Sequence, residues 1–260
     1  MSPPAPTRAS LPGTRPAGVT DEAAASRHVR EMFSGIAPRY DLLNRLLSLR
    51  FDVLWRRRVA SRFRELLQRS DARVLDLCCG TGDLALALAA ARRSRGTSGA
   101  AILGADFAHP MLVRAREKSA HHRVPMDFIE ADGLCLPFAN GTFDLVTTAF
   151  GFRNFANYSA ALLELHRILR PGGSVAILEF TEPEGAILGG LYRFYFRHVL
   201  PRIGGAISGN SEAYGYLPSS VSRFPAPQEL ADLMRCSGFR DVRFERWTGG
   251  IVALHTAPPE

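Results

Sequence analysis

The sequence predicts an α/β fold in which helices cover both faces of a parallel sheet. Segments typical of buried strands alternate with helical segments between residues 72 and 180, which is the pattern of successive βαβ units. A turn containing two glycines joins the first strand to the first helix. Near the end of the chain, two strand-like segments flank Thr248, Gly249 and Gly250, and this spacing predicts an antiparallel hairpin.

Each element follows from local composition and periodicity. Short apolar runs predict strands, whereas longer runs rich in Ala and Leu, or with proline in the first turn, predict helices. The predicted strands are "ARVLDL" (72–77), "AAILGADF" (100–107), "MDFIEAD" (126–132), "FDLVTTAF" (143–150), "SVAILEF" (174–180), "DVRFERW" (241–247) and "IVALHTA" (251–257). The predicted helices span 83–93, 109–120, 159–169 and 227–238.

The chain divides into a tail, a helical cap and a main domain. Residues 1–26 are expected to be a disordered tail, because the first twenty residues hold five prolines and no acidic residue and can bury little apolar surface. Residues 27–70 show helical periodicity and form the predicted N-terminal cap. The main domain spans 71–257. Within it, an aromatic run and a glycine-rich loop at 183–225 interrupt the alternation, which predicts a lid.

Composition excludes several classes of protein. Of 260 residues, 46% are hydrophobic and 22% are charged, as in ordinary globular domains. No apolar run reaches the roughly 18 residues of a membrane-spanning helix. The four cysteines are not spaced with one another or with histidines like zinc ligands. We therefore expect a cytoplasmic protein without a metal site.

Positive charge is concentrated near the N-terminus. The formal net charge is +7, and between residues 27 and 69 eleven arginines accompany only four acidic residues. A solvated helical surface explains this segment as well as a binding function does. Among binding functions, peripheral contact with an anionic membrane is favoured over nucleic acid, since no RNA-binding aromatic motif accompanies the arginines.

The turn "VLDLCCGTGDL" (74–84) has the features of a ligand-binding loop. Backbone N–H groups at the start of a helix can approach a ligand closely where glycines leave room. A tight turn without any ligand would use the same glycines. The turn lacks the Gly-Lys-Ser/Thr ending of a P-loop, and Ala85 stands at the third glycine position of a dinucleotide motif.

Acidic residues at the ends of the first three strands favour a positively charged nucleoside. Asp76 ends the first strand, Asp106 ends the second and can accept hydrogen bonds from ribose hydroxyls, and Asp132 follows the third beside Gly133. S-adenosylmethionine carries a positively charged sulfonium and no phosphate. It therefore fits a site that has three carboxylates and no cation for binding phosphate. The candidate cofactor-binding residues are Asp76, Gly80, Thr81, Gly82, Asp106, Asp132 and Gly133.

The motifs "DLCCGTGD", "GADF" and "EADGLCLPF" together resemble the binding edge of class I S-adenosylmethionine-dependent methyltransferases. The resemblance implies a seven-stranded, Rossmann-like sheet that ends in an antiparallel hairpin. Cys78 stands where many members have the first glycine of the turn, and Ala149 where some have a serine that helps to hold the cofactor.

Further motifs narrow the resemblance. "YDLLNRLLSLRFDVLWRR" (40–57), "FGFRN" (150–154), "RILRPGGSVAILEFT" (167–181) and "AYGYLPSSVSRFP" (213–225) resemble signatures of the ubiquinone/menaquinone biosynthesis C-methyltransferases. The similarity covers nearly all of residues 27–256. It implies methylation of a ring carbon of a prenylated quinol, either demethylmenaquinol, a methoxy-prenyl-benzoquinol, or both.

Three residues are the catalytic candidates. Arg153 and Asn154 follow the fourth strand, where this class presents the methyl acceptor, and a cationic donor there suits a phenolate oxygen. The alternative for Arg153 is an ion pair with a carboxylate such as Glu179. Tyr40 could donate a hydrogen bond to a quinol oxygen or merely pack between helices. Phe150 and Phe152 are expected to supply an apolar wall, with one of them facing the core.

Two other functions remain open at this point. One is a methyltransferase that acts on RNA or on a lipid acceptor, and the other is a non-catalytic subunit that binds S-adenosylmethionine. The sequence does not distinguish a naphthoquinol from a benzoquinol acceptor. It also leaves the oligomeric state open, and a homo-oligomer is one of the possibilities. It favours a cytoplasmic location with peripheral contact to the inner face of the cell membrane.

Overall fold

The computed structural model describes residues 13–16, 18–19, 21–93, 101–183, 185, 189–190, 192, 194–195 and 211–258, with backbone only at 43, 46, 47 and 211–215. The predicted tail up to residue 12 and most of the predicted lid before residue 211 lie outside these residues. No described helix is long and apolar enough to cross a membrane.

A seven-stranded sheet forms the centre of the molecule, with the strand order β3-β2-β1-β4-β5-β7-β6. The first five strands run parallel, and β7 pairs antiparallel with both β5 and β6. The strands are β1 (Val74–Leu77), β2 (Ile102–Asp106), β3 (Met126–Glu130), β4 (Phe143–Ala149), β5 (Leu169–Phe180), β6 (Arg243–Trp247) and β7 (Val252–Ala257). The predicted parallel sheet and terminal hairpin are confirmed.

Helices cover both faces of this sheet. They are α1 (Glu22–Ile36), α2 (Tyr40–Leu47), α3 (Phe51–Arg62), α4 (Arg64–Leu67), α5 (Asp83–Arg93), α6 (His109–His122), α7 (Tyr158–Ile168), α8 (Ser211–Arg223) and α9 (Pro227–Cys236). On one face, α7 and α9 pack on residues such as Leu75 and Val146. On the other, α3 and α5 pack on Val74 and Leu145. Because successive strand residues point to opposite faces, each strand contributes to both cores.

The strand β5 begins earlier than the sequence predicted. Phe143 pairs with Leu169, and the next pair joins Leu145 to Ser174 across a bulge. Pro171 has no N–H to donate to the ladder, and Gly172 adopts a φ of +76°, so both residues fit a bulge but not a regular strand. The predicted start at residue 174 is the end of this irregular segment.

The boundary predicted for the disordered tail is wrong. The helix α1 begins at Glu22, and the Asp21 side chain caps it by accepting a hydrogen bond of 2.7 Å from the Ala24 N–H. Upstream, the N–H of Thr14 donates to the Phe155 carbonyl at 2.7 Å. The proline-rich composition of the first twenty residues does not reveal this cap or this long-range pairing, which depend on single residues.

The predicted N-terminal cap shares a core with the main domain. Trp55 and Val59 of α3 are buried against Leu88 of α5 and Leu178 of β5. The Trp55 indole N–H also donates to the Thr248 hydroxyl at 2.8 Å, across the full width of this core. The helices before β1 are therefore part of the folded unit that carries the sheet.

Replacing Trp55 with alanine tests this shared core. We expect Trp55→Ala to lower the free energy of unfolding by about 3–5 kcal/mol, since it leaves a large cavity. The adjacent Leu54 is 58% exposed, so Leu54→Ala is a matched control with an expected change within about 0.5 kcal/mol. Urea denaturation followed by circular dichroism measures both. Equal small effects would show that the cap folds separately from the sheet.

Candidate active site at the carboxyl edge of the sheet

A crevice opens where β1 and β4 end side by side. The strand order reverses at this pair, so the chains leaving the two strands diverge to opposite sides, as at the ligand-binding edge of open α/β sheets. The larger part of the crevice has a volume of about 660 Å³, and the smaller adjoining part about 310 Å³. Four residues line both parts: Tyr40, Cys78, Gly80 and Ala149.

The structure brings most of the candidate residues to this crevice. Asp106, Asp132, Gly133 and Asn154 line the larger part. Asp76 and Thr81 line the smaller part. Of the candidates, Arg153 and Gly82 line neither part of the crevice.

The backbone at the end of each central strand is left-handed. Cys78 after β1 has a φ of +54°, and Phe150 after β4 has a φ of +62°, a conformation that costs about 1–2 kcal/mol for a residue with a side chain. Glycine adopts this left-handed conformation without that cost, so it would also suit position 78. Between the two strand ends, a Cβ added to Gly151 would come within 2.3 Å of the Cys78 Cβ. The floor of the crevice thus depends on a contact that only glycine at 151 permits.

Asp76 places an unpaired carboxylate oxygen at the smaller part of the crevice. The residue is 1% exposed, and its Oδ1 accepts a hydrogen bond of 2.9 Å from the Thr147 hydroxyl. Its Oδ2 is buried and accepts no hydrogen bond from the described residues. Burial raises the pKa of Asp76 to about 7, partly offset by the bond from Thr147, by the backbone N–H of Ala85 and by the charge of Arg56. A cationic or hydrogen-bond-donating ligand would satisfy this oxygen.

Asp106 is fixed by backbone donors at the mouth of the larger part. The N–H of Gly80 donates to its Oδ2 at 2.8 Å, and the N–H of Ala108 donates to its Oδ1 at 2.9 Å. Burial raises the pKa of Asp106 to about 6, against these backbone bonds. Each carboxylate oxygen keeps a further lone pair for a ligand hydroxyl. Asp132 stands nearby, with its Oδ1 bound by the N–H of Leu134 at 2.9 Å.

The glycine-containing turn is held by a charged cluster that sequence reasoning missed. The Thr81 hydroxyl donates to Asp41 of α2 and accepts a hydrogen bond of 3.0 Å from Lys118 of α6. Lys118 also contacts Asp41 at 2.8 Å and Asp83, and Arg56 lies 3.6 Å from Asp83. The Thr81 side chain, expected to contact a cofactor, is engaged here instead. The sequence signal was that Lys118 is the sole lysine of the chain.

Gly82 serves packing rather than the crevice. Its φ is +85°, and an added Cβ would approach the Ala115 Cβ of α6 at 3.3 Å. The residue therefore lets the turn lie against α6, which also carries Lys118. Its contact with a cofactor stays a prediction, beside this role in the shape of the turn.

The structure distinguishes the two phenylalanines of "FGFRN". Phe150 lines the larger part of the crevice and packs on Phe180, with ring centroids 4.5 Å apart. Phe152 is fully buried and packs on Phe155 and Tyr158 in the opposite core. The left-handed backbone at Phe150 breaks the strand alternation, so spacing alone could not assign the two faces.

Asn154 lines the crevice and is oriented by a chain of hydroxyl groups. The Tyr216 hydroxyl of α8 donates to Asn154 Oδ1 at 3.1 Å. The same hydroxyl lies 2.8 Å from the Thr14 hydroxyl, which must then be the donor to it. The Asn154 Nδ2 donates one hydrogen bond of 3.5 Å to the Phe150 carbonyl, and its second N–H group remains for the crevice side. No sequence motif had indicated Thr14 or Tyr216.

Arg153 forms the ion pair that was the alternative to a direct catalytic contact. Its Nη1 lies 3.2 and 3.1 Å from the two carboxylate oxygens of Glu179, and its Nε donates to Ser220 at 3.3 Å. Nη1 also donates to the carbonyl of Phe150. Burial opposes the charge, but Glu179 outweighs it and the pKa of Arg153 is raised. The guanidinium therefore braces the β4 turn from behind the crevice wall.

Tyr40 closes the crevice from the N-terminal helices. It lies at the start of α2, and its ring packs edge-on against Phe33 at 6.1 Å. Burial raises the pKa of Tyr40, although Asn44 and the positive charges of Arg56 and Arg153 act in the opposite direction. The hydroxyl thus stays protonated near neutral pH and can donate a hydrogen bond. Phe33, Phe107, Met111 and Phe155 complete the apolar lining.

Comparison with protein families finds one match that spans the chain. Residues 21–258 match the model of the ubiE/COQ5 methyltransferase family. A demethylmenaquinone methyltransferase of Thermus thermophilus is 53% identical over 86% of this chain and 98% of its own length. A demethylmenaquinone methyltransferase of Deinococcus radiodurans is 48% identical over 91% and 94%, and a ubiquinone/menaquinone biosynthesis C-methyltransferase of Syntrophotalea carbinolica is 46% identical over 87% and 92%.

Solved structures share the fold at low sequence identity. A SAM-dependent methyltransferase of Thermotoga maritima superposes with a TM-score of 0.60 and 17% identity, covering 88% of this chain and 99% of that one. A SAM-dependent methyltransferase of Aquifex aeolicus gives a TM-score of 0.56 at 17% identity, covering 79% and 89%. The class I methyltransferase fold is thereby confirmed.

The contact between residues 78 and 151 can be tested by paired substitution. Gly151→Ala should lower the free energy of unfolding by about 1–3 kcal/mol, because the new Cβ meets the Cys78 Cβ. Adding Cys78→Gly removes that atom and suits the left-handed backbone, so most of the loss should be recovered.

The control for this pair is Gly35→Ala in α1, where an added Cβ meets nothing within 4 Å. It should stabilise the protein by about 0.5–1 kcal/mol, since alanine favours a helix. Urea denaturation of the unmodified protein, Gly151→Ala, Cys78→Gly, the double variant and Gly35→Ala measures the effects. Additive effects of the substitutions at 78 and 151 would contradict a direct contact.

Proposed function

The chain belongs to the ubiE/COQ5 methyltransferase family, and from this we propose that it transfers a methyl group from S-adenosylmethionine to a ring carbon of a prenylated quinol. We propose demethylmenaquinol, a methoxy-prenyl-benzoquinol, or both as the acceptor. The observation that carries the proposal is the crevice at the ends of β1 and β4. Buried carboxylates lie towards one side of it, and an apolar wall with two hydrogen-bonding side chains lies towards the other.

The residues present fit S-adenosylmethionine. The unpaired Asp76 Oδ2 suits the ammonium group of a cationic ligand. Asp106 and Asp132 offer carboxylate oxygens to ribose hydroxyls and an adenine edge, with Gly80 and Gly133 leaving space beside them. When bound, the cofactor supplies a methyl group activated by the positive charge on sulfur. No described lysine or arginine lines the larger part of the crevice, which disfavours a phosphate-bearing ligand.

The acceptor side supports methylation of carbon in a quinol ring. A ring carbon is a weak nucleophile until a ring hydroxyl loses its proton, so the site must bind the ring and stabilise charge on its oxygen. Phe150 and Phe155 give the ring an apolar wall, and Gly151 lets the ring approach closely. The Tyr40 hydroxyl and the Asn154 amide can donate hydrogen bonds to the ring oxygens. Correct alignment alone can contribute roughly 7–11 kcal/mol.

We assign Arg153 a positioning role in this reaction. Its bonds to Glu179 and to the Phe150 carbonyl fix the turn that carries Phe150, Gly151 and Asn154. Its charge also acts on Tyr40, whose pKa it lowers against the effect of burial. A protonated Tyr40 beside a fixed cation is a stronger hydrogen-bond donor to a quinolate. Direct contact between Arg153 and the quinol is not needed in this arrangement.

We propose that the reaction takes place on the cytoplasmic side of the membrane, at its surface. The acceptor's polyprenyl tail dissolves in a bilayer, so the enzyme must meet its substrate there. The excess of arginine in residues 27–69 would favour contact with anionic lipid on the inner face of the membrane.

Transfer of a labelled methyl group tests the proposed function. The purified protein is incubated with labelled S-adenosylmethionine and, separately, with reduced quinones, with RNA and with phospholipid. Label is expected in the demethyl quinol alone, and cells lacking the protein should accumulate that precursor. Label in RNA or lipid would establish the alternative acceptors, and cofactor binding without transfer would indicate a non-catalytic subunit.

Removing the Tyr40 hydroxyl tests its proposed contact with the acceptor. Tyr40→Phe should reduce kcat about tenfold to a hundredfold, the value of a hydrogen bond to a charged oxygen, while cofactor affinity stays within about twofold. Tyr158→Phe removes a buried hydroxyl outside the crevice and serves as the control. Titration calorimetry and initial rates measure both variants. Equal losses of kcat and of cofactor affinity would contradict the assigned role.

A further inference from the structure

Exposed apolar side chains gather where α2 turns into α3. Leu42, Leu49, Phe51 and Leu54 are 61%, 73%, 42% and 58% exposed. They are four of the seven large hydrophobic residues that are exposed in the described part of the chain. We call these four residues the α2–α3 tip. Single exposed apolar residues are common on protein surfaces, but a cluster within 13 residues of sequence needs a reason.

The turn that presents the tip is well ordered by hydrogen bonds. Leu49 and Arg50 have φ values of +50° and +65°, which are unfavourable for residues with side chains. The Ser48 hydroxyl donates to Asp52 at 2.7 Å, and the N–H of Phe51 donates to the Ser48 carbonyl at 3.0 Å. The exposed position of Leu49 therefore results from a specific backbone conformation.

Three arginines lie close in sequence to the tip residues, and two of them have no carboxylate partner among the described residues. Arg50 and Arg57 are exposed and form no ion pair with any described residue. Arg45 lies 4.0 Å from Asp83, at the limit of an ion pair. An apolar cluster bordered by unpaired arginines complements an anionic lipid surface, where the arginines meet headgroups and the apolar groups enter the acyl boundary.

The tip is joined to the active site by a continuous path of aromatic rings. Phe51 stacks on Trp55 with ring centroids 6.0 Å apart, and Trp55 lies 5.9 Å from Phe150, which lines the crevice. Tyr40, at the other end of α2, lines the same crevice. The tip is therefore packed close to the crevice wall, so docking at the tip would hold the crevice near the bilayer surface.

From these observations we infer that the α2–α3 tip docks the protein on a bilayer that contains anionic phospholipid. Leu42, Leu49, Phe51 and Leu54 insert, and Arg50 and Arg57 bind the headgroups. The inference rests on the proposed function in one respect only: a prenylated acceptor would then enter the crevice directly from the bilayer. The docking itself depends on the surface and can be measured without any substrate.

Binding to vesicles tests the apolar part of this surface. Vesicles of phosphatidylcholine with about one third phosphatidylglycerol are used, with pure phosphatidylcholine as the uncharged comparison. Leu49→Ser/Leu54→Ser should weaken partitioning into the vesicles about tenfold or more, because two apolar side chains that would insert into the bilayer are lost. Val113→Ser/Leu163→Ser alters two side chains that are each 40% exposed elsewhere and should bind like the unmodified protein.

The charged part is tested in the same assay. Arg50→Gln/Arg57→Gln should weaken binding to the anionic vesicles by about fivefold per arginine, with little effect on the uncharged ones. Arg73→Gln/Arg243→Gln removes the same charge from exposed positions outside the cap and should bind normally. Binding by the unmodified protein should fall as salt is raised.

Three outcomes would overturn the inference: unchanged binding of Leu49→Ser/Leu54→Ser, equal losses in the control variants, or unmodified protein that does not bind anionic vesicles. Light scattering tests the alternative that a second copy of the chain covers the tip. If the unmodified protein is a dimer and Leu49→Ser/Leu54→Ser is a monomer, the tip is a dimer interface. Activity on a quinol with a single prenyl unit in solution separates docking from function. Tip variants should keep that activity, and its absence in the unmodified protein would instead contradict the proposed function.

Discussion

The close approach of Gly151 to Cys78 sets the spacing of the two strand ends on which the active site depends. Parallel strands β1 and β4 are neighbours in the sheet, but the chains that follow them run to opposite sides. Each chain turns away sharply because Cys78 and Phe150 adopt left-handed backbone conformations. A crevice remains between them, and the absence of a side chain at Gly151 keeps its floor low. The placement of Asp76, Ala149 and Asn154 around the crevice follows from this geometry.

The N-terminal helices contribute to the site as much as the sheet does. Asp41 and Arg56 belong to α2 and α3, yet they bind Thr81, Lys118 and Asp83 around the glycine-containing turn. These side chains are only partly exposed, so removal of one charged partner would leave a poorly solvated charge and cost more than it would on an open surface. Movement of the helices would therefore disturb the turn as well as Tyr40. In this way, contact of the cap with another surface can influence both halves of the crevice.

Much of the fold could be predicted from the sequence, because it depends on local periodicity. The strands and helices between β1 and α7 fall within a few residues of the predicted segments, and the family motifs lie at the crevice on the carboxyl edge of the sheet. The partners of individual side chains were harder to predict from the sequence. Arg153 and Glu179 are 26 residues apart and meet only because β4 and β5 are adjacent. The orientation of Asn154 depends on Thr14 and Tyr216, which no motif connects to it.

The buried carboxylates make the crevice electrostatically suited to the cationic cofactor proposed above. A carboxyl group whose pKa is raised in the folded protein binds a proton that the unfolded chain has released. For Asp76, with a pKa of about 7, this disfavours the folded state progressively as the pH rises from about 4 towards 7. A cationic ligand beside Asp76 and Asp106 favours the ionised carboxylates and removes that penalty. Asp76 and Asp106 would therefore destabilise the folded protein when the crevice is empty, and the proposed sulfonium cofactor would offset that cost.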